Sequence, residues 1–147
     1  MLVKTSRFGN VEIEPEDILL FPHGMAAYED LRHWVLLNDR ENESIGWLQS
    51  VARPDAAFAV VSPRRFVPGY RIHVKRSQIA PLELADEHAA FVLAVLNRVE
   101  GNVTVNLRAP VIINLDRRIG RQIVTSDEQP LRHVLDDAPA AIFLRAA

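Results

Sequence analysis

Cysteine is absent from all 147 residues, which excludes disulfides, thiolate metal sites, thiol nucleophiles and cysteine-ligated iron–sulfur clusters. Lysine is scarce too, with only Lys4 and Lys75 among the 17 basic residues. No uncharged apolar run approaches the roughly 18 residues that a spanning helix needs, and Met1–Arg7 lacks the apolar core of a signal peptide. The lack of cysteine fits a reducing cytoplasm, and no membrane span is expected. The six glycines never cluster, so neither a P-loop nor a dinucleotide fingerprint is present. His23, His33, His73, His88 and His133 show no metalloprotease spacing. His133 with Asp136 and Asp137 makes an unfinished ligand set. No serine sits in a Gly-x-Ser-x-Gly elbow. No catalytic residue, cofactor or metal is expected, and the chain reads as a non-enzyme.

What remains is an ordinary globular composition, 48% hydrophobic and 24% charged, at a length that suits one domain. The net charge is only −2, but its distribution is uneven. Residues 12–43 hold nine acids against Arg32 and Arg40, a net of −7. Residues 64–76 hold Arg64, Arg65, Arg71, Lys75 and Arg76 with no acid. Opposed fields of this kind select partners and steer encounters. Solvated faces produce the same pattern.

Short β-branched and aliphatic runs recur between prolines and glycines: Val11–Ile13, Asp17–Phe21, Trp34–Leu37, Gly46–Val51, Ala57–Val61, Tyr70–Val74, Phe91–Val95, Val103–Leu107, Val111–Leu115 and Arg121–Val124. This spacing predicts an all-β fold, a small closed or partly closed antiparallel β-barrel. One or two short helices are expected, with candidates at Ala27–His33 and Leu82–Ala89. Pro110 cannot donate to a central ladder and marks an edge, a bulge or a strand boundary. The domain is drawn at residues 1–137, with 138–147 as an apolar C-terminal tail.

Several segments together resemble the FliW family of flagellar assembly factors. They are Thr5–Gly9 with Glu12-Ile13, Phe21-Pro-His-Gly24 through Tyr28-Glu29, and Trp47-Leu-Gln-Ser-Val51 with Pro54, Ala57, Phe58 and Pro63. Val103–Leu107 with Ala109-Pro110 and Ile113-Asn114, then Gly120, Gln122 and Pro130–His133, continue the same order. The resemblance implies a cytoplasmic β-barrel that binds flagellin and the translational repressor CsrA in competition. Freed of exported flagellin, it would capture CsrA away from the RNA-binding surface and release flagellin mRNA for translation. Three departures are specific. Ala27 stands where the family usually has a second glycine and Tyr28 where it has phenylalanine, both tolerable if that turn does not need φ > 0. The family is often acidic around Tyr70–Ser77, where this chain carries Arg71, His73, Lys75 and Arg76.

Gln49, Asn106 and Asn114 are the first candidates for partner contact, as polar groups on strand faces beside apolar positions. Satisfying nearby backbone is their alternative role. Phe66 and Tyr70 are further candidates if the Pro68-Gly69 turn exposes them. Trp47, Leu48, Phe58, Ile113 and Phe21 are expected to build the core. No direct nucleic-acid contact is expected. The alternative function is a small barrel that binds RNA through Arg64–Arg76, stacking bases on Phe66 and Tyr70 among the cations.

Overall fold

Valine, isoleucine and leucine runs of four to six residues, each closed by a turn, favour pleated backbone that packs on its neighbours. The computed structural model describes residues 1–135. Its strands are β1 (Leu2–Thr5), β2 (Gly9–Glu12), β3 (Ile18–Leu20), β4 (His33–Asn38), β5 (Ile45–Ser50) and β6 (Ala57–Val61). They continue with β7 (Ala90–Val99), β8 (Asn102–Val105), β9 (Val111–Asn114), β10 (Ile119–Gln122) and β11 (His133–Val134). The tail at 138–147, the boundary at 137 and the carboxylates of Asp136 and Asp137 lie outside the described residues.

Seven strands close a ring in the order β3–β4–β5–β6–β7–β9–β10. The fold is therefore the expected all-β closed barrel. Every neighbour in the ring is antiparallel except at the seam, where β10 meets β3 in parallel. That seam has one register pair, Ile119↔Leu20, with the Leu20 amide donating to the Arg118 carbonyl at 2.8 Å. Its side-chain fit is close. Gly120 leaves the space that the Phe21 ring fills, for a Cβ there would lie 2.4 Å from Phe21 Cζ.

The barrel interior is Leu19, Phe21, Trp34, Leu48, Val60, Leu93, Val95, Val111 and Ile113, with Met25 and Ala56. Three outer layers cover the other side of the wall. The β1–β2 hairpin packs Val3 and Ile13 on Val35. Residues 72–84 pack Leu82 beside Ile112 and Ile123. Tyr70, β8 and the stretch reaching Leu135 cover Trp47, Ala59, Val61 and Ala94. Strands covered on both faces read as unbroken apolar runs, and Val111–Asn114 is buried at every position.

β7 serves three neighbours in turn: β9 along Ala90–Leu93, β6 at Ala94 and Val95, and β8 along Leu96–Val99. Pro110 falls at the boundary between β8 and β9, immediately before β9, where its missing N–H costs no ladder bond.

Neither expected helix forms. Ala27–Arg32 makes turns, tied by reciprocal backbone bonds between Met25 and Tyr28, and His33 already begins β4. Over Leu82–Ala89 only 3₁₀ turns appear, the end of Ala80–Leu82 and then Glu87–Ala89, where the Asp86 carboxylate accepts from the His88 and Ala89 amides. The two four-residue helices that do form, α1 (Pro63–Phe66) and α2 (Arg76–Ile79), lie in the basic stretch. Between them Tyr70–Lys75 alternates in exposure as an extended segment does, with Tyr70 buried and Ile72 and Val74 half-buried, but joins no ladder.

Candidate partner-binding surface

Gln49 is fully buried on β5. Its Nε2 lies 3.1–3.3 Å from the carbonyls of Ser50, Arg53, Pro54 and Ala56. Ser50 Oγ accepts from the amides of Ala52 and Arg53. Together they shape the β5–β6 turn, which is the backbone-satisfying role open to Gln49 beside partner contact. Asn114 is also enclosed. Its Nδ2 donates to the carbonyls of Leu82 and Glu83, and its Oδ1 accepts from Asp116 and Arg117. A buried amide with this many backbone partners has no reach to solvent.

Tyr70 turns inward, and its hydroxyl donates to the Leu107 carbonyl at 2.6 Å. Burial, followed by the nearby Asp127 charge, pushes its pKa up to about 12. Phe66 is half-buried against the layer that covers Trp47. The aromatics needed for stacking bases are thus committed to packing, and the RNA-binding alternative loses its platform. Asn106 keeps partial exposure. Its Oδ1 caps the amides of Arg108 and Ala109, while its Nδ2 is unbonded among the described residues.

Two polar residues escaped the list of candidates. Gln122 clamps two loops, accepting from the Ala26 amide and donating to the Ala109 carbonyl. Asp39 is buried and accepts from Trp47 Nε1 and the amides of Glu41 and Asn42. One of the nine acids in the stretch is therefore internal. Its signal in the sequence was the Asp-x-x-Asn pattern of a turn two residues ahead of a strand.

The remaining charge is largely on the surface. Arg65, Arg71, Lys75 and Arg76 are exposed and make no ion pair among the described residues. Arg64 donates from Nε to the Tyr70 carbonyl and sits over the same segment. The segment is held in place from one side. The His73 amide and Nδ1 bond to Asp127, Ser126 donates to the His73 carbonyl, and Gln129 donates to the Arg71 carbonyl. The hydrogen bond from His73 holds the Asp127 carboxyl below its ordinary pKa. A groove of about 300 Å³ lies beside this segment, lined by Arg64, Arg71, Ile72, His88, Ala90 and Val92 among others.

Catalytic geometry does not assemble around these groups. Among the described residues no serine hydroxyl is hydrogen-bonded to a histidine, and Ser50 Oγ is committed to backbone. No group of three or more histidines and carboxylates among them is placed to hold a metal. No helix among them is long and apolar enough to cross a membrane.

The family described as FliW protein matches residues 2–135. A flagellar assembly factor FliW of Bdellovibrio bacteriovorus is 37% identical over 129 residues, covering 86% of this chain and 74% of that protein. One of Moorella thermoacetica is 39% identical over 127 residues, covering 84% of this chain and 80% of that protein. The crystal structure of a flagellar assembly factor FliW superposes with a TM-score of 0.82 at 25% identity, covering 91% of this chain and 94% of the other.

Proposed function

The chain belongs to the FliW family, and on that premise we propose that it binds flagellin and antagonises a CsrA-type translational repressor, relieving repression of flagellin mRNA. It does so in the cytoplasm without catalysis. The observation that carries this reading is the family match across the whole described chain, barrel and outer layers together.

The physical features agree with a protein-binding task. Gln49, Asn114 and Tyr70 are enclosed, so partner contact falls to the exposed charges, to Asn106 and to the rim of Phe66. Surfaces of opposed sign let one small barrel hold partners of different charge, and they speed encounter more than they raise affinity. Competition needs no conformational change in the barrel. Capture of the repressor away from its RNA site requires only a coupling free energy within the repressor, typically about 1–3 kcal/mol.

Calorimetric titration of the full chain against flagellin and CsrA separately, with a short single-stranded RNA as control, tests the proposal. Saturable binding to either protein, displacement of one by the other and silence towards RNA are expected. Binding to RNA alone, weakening steeply with salt, overturns it in favour of direct RNA binding. Silence towards all three overturns both.

A further inference from the structure

Past the end of β6, β7 runs on with no strand on that side and α1 alongside. β6 pairs with it only at Val60↔Val95 and Val61↔Ala94, then leaves the wall for α1. From Leu93 back to Ala90, β7 has β9 on its other side alone. The groove opens here, with Ala90 and Val92 as its apolar floor and Ile72 on the facing wall.

The facing wall has an open edge of its own. In an extended chain, successive backbone groups point to opposite sides. Arg71 and His73 use theirs on residues 126–129. Ile72 and Val74 make no backbone hydrogen bond among the described residues. An unpaired edge beside an apolar floor is a template for an added strand. The charges around it are mostly basic. Arg71 and Lys75 stand at alternating exposed positions of the segment, with Arg65 and Arg76 flanking it and none of the four ion-paired among the described residues. Of the acids beside it, Asp127 is bonded to His73 and Glu87 lies 3.9 Å from His88.

We propose that this groove receives an extended acidic segment of a partner protein, added as a strand along Ile72–Val74. Alternate apolar side chains rest on Ala90 and Val92, and carboxylates meet Arg71 and Lys75. Arginine matches carboxylates in a bidentate fork. A nucleic-acid strand fits less well, because Tyr70 and Phe66 offer no stacking face and the chain outside this stretch is net acidic. The assignment stands apart from which protein supplies the segment.

The test uses the full chain and a synthetic peptide of about eight residues alternating glutamate and valine, a length that spans one strand. The same peptide with lysine for glutamate, and a single-stranded RNA of equal charge, serve as comparisons. Amide resonances of Ile72, Val74 and Phe91–Leu93 are expected to shift on adding the acidic peptide. Arg71→Glu is expected to weaken it about tenfold, the loss of one charge-assisted contact, and to admit the lysine peptide. Lys75→Glu repeats the comparison if Arg71→Glu fails to fold. No shift at these amides overturns the proposal. Tighter binding by the RNA, or shifts that follow protein concentration without peptide, overturns it in favour of nucleic acid or of self-association.

Discussion

Ala27 sits at φ +70°, in the left-handed region that L-residues enter at a cost. Alanine in place of the family's usual glycine is free of strain only where the turn avoids positive φ, and this turn does not avoid it. Gly24, three residues earlier, is also at positive φ, and a Cβ there would lie 2.3 Å from the Tyr28 carbonyl oxygen. The turn therefore uses its one glycine where space forbids anything else and accepts strain at Ala27. Ala27→Gly is expected to stabilise the fold by about 0.5–1 kcal/mol, the relief of strain less the added freedom of the unfolded chain. Urea denaturation of the two proteins measures it. Tyr70 supplies a second test. Its pKa is raised from 10.0 to about 12, so the neutral form is favoured in the folded state. Stability from this group is present below pH 10 and is lost as the pH climbs towards 12, on the order of 2 kcal/mol in all. In Tyr70→Phe this alkaline loss should vanish, while stability near neutrality falls by about 1 kcal/mol for the missing bond to Leu107. Urea melts at pH 8 and pH 11 separate the two effects.

Strands were readable because each needs only a few apolar residues between turn signals, and Ala57–Val61 has the same bounds in sequence and structure. The short helices were misplaced because four residues leave no periodicity to detect. Their positions follow from Pro63 at the first helical position and from the Gln78 side chain accepting the Lys75 amide. Pairing partners also lay beyond the pattern, since nothing local marks β10 as the strand that meets β3. Here the Gly120–Phe21 fit acts in place of a ladder. Gly120→Ala is expected to cost about 3 kcal/mol by overpacking, with faster amide exchange at Leu20 than elsewhere in the ring. Phe21→Leu, costly alone, should recover part of that loss when combined with Gly120→Ala. Additive losses, or uniform exchange around the ring, would contradict the proposed seam.

The charge asymmetry was visible in the sequence, but the groove was not. It depends on β6 ending while β7 continues, a consequence of three-dimensional pairing and not of either strand's composition. The same holds for Gln49 and Asn114. Their residue types suit backbone satisfaction and partner contact equally, and it is the burial of both side chains that favours the first. The ring's closure also has a bearing on synthesis. Leu20 meets Ile119 across roughly a hundred positions of chain, the kind of distant pairing that forms last. While the protein is being made, its first strands must wait as an open sheet until β10 emerges from the ribosome, at about 5–20 residues per second. During those seconds β3 presents an unpaired edge, and the nascent chain is at its most vulnerable to joining a neighbour on the same message.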